Sequence, residues 1–150
     1  MAIALLDVNV LIALLDSNHV FHEQAHQWWA TQMKEGWASC PLTENGVVRV
    51  MTQPAYSPSQ QFSPRQILDA LKSFQRETKH TFWPDAISLL DETRIASELI
   101  VGHRQLTDVY LLALAVANAG TLVTFDSSIP GGVVRGFRPE HRMVLNEQRA

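Results

Sequence analysis

Two short apolar runs, Ile3-Ala4-Leu5-Leu6 and Thr121-Leu122-Val123-Thr124-Phe125, are each followed directly by an acid, Asp7 and Asp126. Runs of that length and unbroken apolarity read as strands covered on both faces, the pattern of a parallel sheet. Parallel strands need long crossovers, usually helices, and the intervening sequence supplies them. Helices are expected over residues 7–15, 20–34, 44–51, 86–97 and 107–119, the last closed by Gly120. In the second, Phe21, Ala25, Trp28 and Gln32 line one face and Gly36 lies just past the end. Thr43 is expected to cap the third. Another helix opens at Ser63-Pro64-Arg65-Gln66, a capping serine, an N1 proline and a glutamine at the third position. Further strands are expected at residues 37–40, halted by Pro41, at 81–83 before Pro84, and at 143–145; residues 52–62, with Pro54 and Pro58, read as loop. Strands alternating with helices imply an α/β fold: a Rossmann-like three-layer α/β/α sandwich on a central parallel sheet, formed as a single domain over residues 1–150.

In such a sheet, ligands bind in the crevice outside the carboxyl ends of the strands. Asp7 and Asp126 fall there. Glu44 and Asp108 follow loop-like starts, Cys40-Pro41-Leu42-Thr43 and Gln105-Leu106-Thr107, and are expected at the same edge. Carboxylates gathered within a few ångström cannot all stay ionised without a cation or a proton between them. A divalent ion, Mg2+ or Mn2+, is the economical solution, because hard cations prefer oxygen ligands. Each acid also has a plainer reading. Asp108 suits a helix N-terminus through the dipole, and Asp126 suits a turn before Ser127-Ser128. Asp7 is hardest to dismiss, since an acid ending a buried strand is costly without a partner.

Composition narrows the class. With 46% apolar and 18% charged residues, the chain is globular, and its length lets it bury roughly two-thirds of its unfolded surface. One cysteine, Cys40, excludes an internal disulfide. No cationic start followed by an apolar run marks a signal peptide, and the longest mainly apolar stretch, residues 109–117, is too short to span a membrane. A cytoplasmic protein is expected. The formal charge of −3 argues against coating nucleic acid by bulk electrostatics but not against a nucleic-acid enzyme, whose metal would offset several acids. Arg135, Arg138, Arg142 and Arg149 cluster in the last sixteen residues, as a solvated tail or as a phosphate or partner contact.

The motifs around the four acids resemble PIN-domain ribonucleases. Leu5-Leu6-Asp7-Val8-Asn9-Val10-Leu11-Ile12 is similar to that family's opening motif, Leu42-Thr43-Glu44 to its second acid, Leu106-Thr107-Asp108-Val109-Tyr110-Leu111-Leu112-Ala113 to its third, and Thr124-Phe125-Asp126 to its fourth. Each motif is weak alone; the four in order cover nearly the whole chain. Gly102-His103-Arg104-Gln105-Leu106-Thr107-Asp108 resembles the mycobacterial-type branch of the VapC-like toxins of bacterial toxin–antitoxin pairs. The resemblance implies endonucleolytic cleavage of single-stranded or loop RNA, such as tRNA or rRNA, by metal-activated water. It implies Asp7, Asp108 and Asp126 as metal ligands, direct or through water, and Glu44 as an outer partner that orients the water or acts as base. It also implies a homodimer, and a cognate antitoxin whose C-terminal segment covers the acidic groove. Some family members carry a further acid where this chain has Ser127 and Ser128, and Ser128 can still bind through water. Asn9 either contacts the site or bonds within its helix. Thr124 shares a strand side with Asp126 or simply packs there. Arg104 suits bidentate phosphate binding; His103 beside it is either a substrate contact or an ordinary loop residue. Trp28, Trp29, Trp37 and Trp83 read as core or interface rather than base-stacking platforms.

Two other function classes compete. One is a non-catalytic PIN-like module that binds RNA or a partner, against which all four acids count. The other is a zinc metalloprotease, because His22-Glu23-Gln24-Ala25-His26 is a literal H-E-x-x-H. That site needs a third ligand, and the metzincin continuation wants glycine and histidine where Trp29 and Gln32 stand. Glu44, the nearest downstream acid, lies in a setting unlike a glutamate zincin. His22 and His26 are expected on a wet helix face as ordinary surface residues.

Overall fold

A computed structural model describes residues 2–145; Arg149 lies outside them. Five strands, β1 (Ala4–Leu6), β2 (Trp37–Ser39), β3 (His80–Phe82), β4 (Thr121–Thr124) and β5 (Arg142–Val144), form one parallel sheet in the order β3-β2-β1-β4-β5. Five helices connect them: α1 (Val8–Leu15), α2 (His22–Gln32), α3 (Pro41–Met51), α4 (Pro64–Glu77) and α5 (Leu106–Ala117). β1 is central, paired through Leu5 to Ala38 on one side and Leu122 on the other, and all three of its residues are buried. Alternating side chains explain the layers. Ala4 and Leu6 join a core with α1, α2, α3 and α4, while Leu5 joins Ala38, Leu122 and α5 on the other face. The expected three-layer α/β sandwich is found.

Several boundaries move for local physical reasons. α3 starts at Pro41, so that proline occupies N1, where its missing N–H costs nothing, rather than merely ending a strand. Thr43 is not the cap. It sits one turn in, and its hydroxyl donates to the Cys40 carbonyl and accepts from the Cys40 N–H, both at 3.0 Å. α2 starts at His22, because Asp16 and His19 accept from the N–H groups of Asn18 and Phe21 and hold residues 16–21 as turns. Its buried stripe is Ala25, Trp29 and Gln32; Trp28 is only half-buried. The Ser63–Gln66 capping box of α4 is present reciprocally, at 3.1 and 2.8 Å. At the end of α5 the left-handed residue is Ala119 (φ 55°). Gly120 is needed for space instead: a Cβ there would lie 2.6 Å from the Trp83 ring and 2.8 Å from the Ile3 carbonyl.

The helix expected over residues 86–97 does not form. Ser88 accepts from the Leu90 N–H, and Asp91 from both the N–H and the hydroxyl of Thr93, so side chains take the bonds a helix would use. Ile95 instead makes an antiparallel bridge to Val134, and the Ala96 N–H reaches the Val133 carbonyl at 2.8 Å. Among the described residues no helix is long and apolar enough to cross a membrane.

Candidate active site

The chain moves from β1 to β2 on one side and returns later to pair β4 on the other. Between them lies the switch point at which open α/β sheets bind ligands. Asp7 follows β1 and caps α1, with extended backbone and its Oδ1 accepting from the Val8 N–H at 2.8 Å. Its Oδ2 accepts from the Thr124 hydroxyl at 2.6 Å. That hydroxyl, buried at the end of β4, also accepts from the Asp126 N–H at 3.0 Å. One threonine thus ties the two strand-end acids together. Asp126 is exposed, and its Oδ1 accepts from the Ser128 N–H at 2.8 Å. Asp108, in the first turn of α5, lines the same small hollow as Thr124 and Asp126.

Electrostatics separate the three. Burial pushes the Asp7 carboxyl above its ordinary value, against the Thr124 and Val8 hydrogen bonds that pull it down, and the Asp126 charge adds to the rise. Burial, then the charges of Asp7 and Asp126, then the hydrogen bond to Asp126 push Asp108 up to about 7. Asp126 is held low by the Ser128 hydrogen bonds, with Asp108 and the Arg142 guanidinium assisting. Asp108 therefore holds a proton far more readily than an ordinary aspartate, the expected response of carboxylates gathered without a cation between them. The donor set is all oxygen, as hard divalent ions require. Among the described residues no three His, Cys, Asp or Glu side chains form a ready-made cage. Magnesium does not need one, since it keeps several waters and uses one or two carboxylates, so the residues fit that ion. Asp108, Thr124, Asp126 and Arg142, with Leu112, Leu122 and Ile129, line a hollow of about 10 Å3, close to one water in size. A larger hollow of about 540 Å3 lies by the strand starts, near Ala2, Trp28 and Gly120, and none of the four acids lines it.

Glu44 stands at the same sheet edge but apart from the aspartates. It lies on the first turns of α3, which Gly46 lets pack against Val8: a Cβ at Gly46 would meet Val8 Cγ2 at 2.7 Å. Its Oε2 accepts from the Ser39 hydroxyl at 2.6 Å and from Gln75 at 3.1 Å. It shares no hydrogen bond with the aspartates among the described residues. Asn9 is exposed on α1, and Arg104 is exposed in the short turn of helix His103–Gln105 just before α5; neither side chain makes a hydrogen bond among the described residues. Arg142 was legible only as one of a terminal cluster. Among the described members of that cluster it is the half-buried one, hydrogen-bonding to the Ile129 carbonyl and lying 5.3 Å from the Phe137 ring centroid. Ser39, Gln75 and His80 were not anticipated; a serine ending an otherwise apolar strand is the signal that could have found the first.

The two histidines of the H-E-x-x-H stretch have another occupation. His22 Nδ1 lies 2.7 Å from the Ala13 carbonyl and His26 Nε2 3.1 Å from the Leu14 carbonyl. These are among the last carbonyls of α1, which lack partners within the helix. Each ring donates an N–H there, so His22 and His26 act as the C-terminal cap of α1. Replacing both by alanine is expected to lower stability by about 1 kcal/mol per bond in a thermal melt, with cleavage activity retained.

The PIN domain family profile matches residues 4–130. The chain belongs to the PIN-domain family. It is 46% identical over 145 residues to Ribonuclease VapC44 of Mycobacterium tuberculosis, covering 95% of this chain and 99% of that one. It is 43% identical over 128 residues to Ribonuclease VapC38 of the same species, covering 84% and 86%. This PIN domain is thus VapC-like. Its fold is also that of a chain in the crystal structure of VapBC2 from Rickettsia felis bound to a DNA fragment from their promoter, with TM-score 0.56 and 14% identity over 97% of each chain.

Proposed function

We propose that this single PIN domain is a metal-dependent endoribonuclease, the toxin of a toxin–antitoxin pair, and that Asp7, Asp108 and Asp126 hold Mg2+ or Mn2+. The observation that carries the reading is the Asp7–Thr124–Asp126–Asp108 constellation at the switch point, where the Thr124 hydroxyl bridges Asp7 and Asp126 and Asp108 lines the same hollow as Asp126. The strong likeness to VapC ribonucleases supports the reaction class. Single-stranded or loop RNA, of the tRNA or rRNA kind, is the substrate proposed, and the cytoplasm the place of action.

The bound ion would polarise a phosphate oxygen and make its water easier to deprotonate. The residues do the rest. Each Asp7 oxygen accepts one protein hydrogen bond, leaving lone pairs for a cation. Thr124 fixes the spacing of Asp7 and Asp126. Ser128 holds the Asp126 carboxylate low enough to stay ionised. Glu44 orients the attacking water or takes its proton. The N-termini of α1, α3 and α5 carry these acids and add their positive dipole ends where phosphate arrives. Arg104, exposed beside α5, is placed to take a phosphate. A homodimer and an antitoxin segment laid over the acidic groove complete the proposal.

Mapping new RNA ends after induction tests it. Discrete cleavage sites are expected with the wild-type protein and none with Asp7→Asn; identical end profiles from the two would sink the ribonuclease reading.

A further inference from the structure

Ser39 ends β2 with no exposed surface at all. A buried hydroxyl needs partners, and this one has three. It donates to Glu44 Oε2 at 2.6 Å, lies 2.8 Å from His80 Nε2, and is reached by Gln75 Nε2 at 3.4 Å. Gln75 also donates to the same Glu44 oxygen at 3.1 Å. Four side chains from β2, α3, α4 and β3 thus meet, residues 39, 44, 75 and 80. The proton count sets the directions. The hydroxyl has one proton, and an ionised carboxylate only accepts, so that proton lies toward Glu44. His80 Nε2 must then carry a proton and donate it to Ser39. The His80 ring packs on Trp37, with centroids 4.5 Å apart, and Trp37 is itself anchored by its indole N–H on the Thr78 hydroxyl at 2.8 Å. The two donors to Glu44, Ser39 and Gln75, both converge on Oε2. Glu44 Oε1 accepts no hydrogen bond from the described residues.

We propose that Ser39, Gln75 and His80 are positioning residues, a clasp that grips Glu44 by one oxygen so that the other is presented to the reacting water at a fixed place. This rests on the ribonuclease reading above. A free glutamate gives up rotamer freedom each time it engages substrate; one already held does not. The clasp also explains how an acid that shares no hydrogen bond with the aspartates can serve their site, since residues from β2, α4 and β3 set its position.

The test uses the full chain, a defined RNA oligonucleotide and MnCl2. His80→Ala and Ser39→Ala are expected to lower kcat about tenfold, the lower end for an outer partner of a metal site, with KM within about twofold. His80→Gln, which restores an N–H near Nε2, recovers most of that loss. Unchanged kcat in both alanine variants, or a loss confined to KM, overturns the clasp. Should Ser39→Ala not fold, Gln75→Met on the half-exposed face of α4 is read in its place under the same criteria. A second readout is independent of activity. Nitrogen-15 spectra of the metal-free protein are expected to show the His80 proton on Nε2, and to lose that preference in Ser39→Ala; a proton on Nδ1 alone overturns the proposal. If the wild-type chain cleaves no RNA, the ribonuclease reading fails, and the imidazole spectrum alone decides the clasp.

Discussion

Asp7→Asn is expected to abolish metal-supported RNA cleavage while leaving the fold in place. Loss of an outer partner at a metal site costs about 10–100-fold, so loss of a direct ligand is expected to exceed about 100-fold. Asparagine caps a helix as well as aspartate does, and its Oδ1 can still accept from the Val8 N–H, so α1 starts where it did. Two further effects oppose each other. The Thr124 hydroxyl loses its acceptor, a cost of about 1–3 kcal/mol for a buried donor. A carboxyl whose burial resists ionisation is replaced by a group that never ionises, which offsets part of that cost. The melting temperature of the metal-free protein is therefore expected to stay within a few degrees. A cleavage rate within tenfold of wild type, in a variant that melts normally, removes Asp7 from the site.

The sequence made β1, β4 and their acids legible because those features are local. An unbroken apolar run needs cover on both faces, and an acid directly after it has one place to go. The α4 cap was equally local, a serine and a glutamine three residues apart. Residues 86–97 misled for the opposite reason: helical spacing was present, but Ser88, Asp91 and Thr93 outbid the helix for its own hydrogen bonds, and Ile95 found a partner at Val134. What the sequence could not show is the company each acid keeps. Glu44 is surrounded by residues 39, 75 and 80, and Arg142 reaches the Asp126 hollow from a different strand. Those pairings exist only once the strand order is set, and no spacing in the chain encodes it. The H-E-x-x-H stretch is the converse case, a strong local pattern whose ring nitrogens are taken up by carbonyls of the preceding helix.

The second large effect is a pH dependence in which stability and activity move in opposite directions. Asp108 has its carboxyl raised from 3.8 to about 7 in the folded protein. Between those values the folded state holds a proton that the unfolded chain has released, so the associated stability is complete below about pH 4 and is lost as pH rises through about 7. Metal-free protein is therefore expected to melt lower at pH 8 than at pH 6 on this residue's account. Asp108 is half-exposed, and solvent screening holds the difference between pH 6 and pH 8 to about 1 kcal/mol or less, or a few degrees. Cleavage moves the other way. Below about 7 the proton on Asp108 competes with the cation, so Mg2+ affinity and activity at limiting Mg2+ are expected to climb across pH 6–8. Asp108→Asn separates the two arms. It is expected to raise the metal-free melting temperature at pH 8, to flatten the melting difference between pH 6 and 8, and to lower cleavage by more than about 100-fold. Added Mg2+ should raise the wild-type melting temperature at pH 8 through binding to the native state alone, and should leave the variant unmoved. A variant that melts lower than wild type at pH 8 without metal, or that gains as much from Mg2+, contradicts the assignment of Asp108 as a half-buried acid whose proton stands in for the ion.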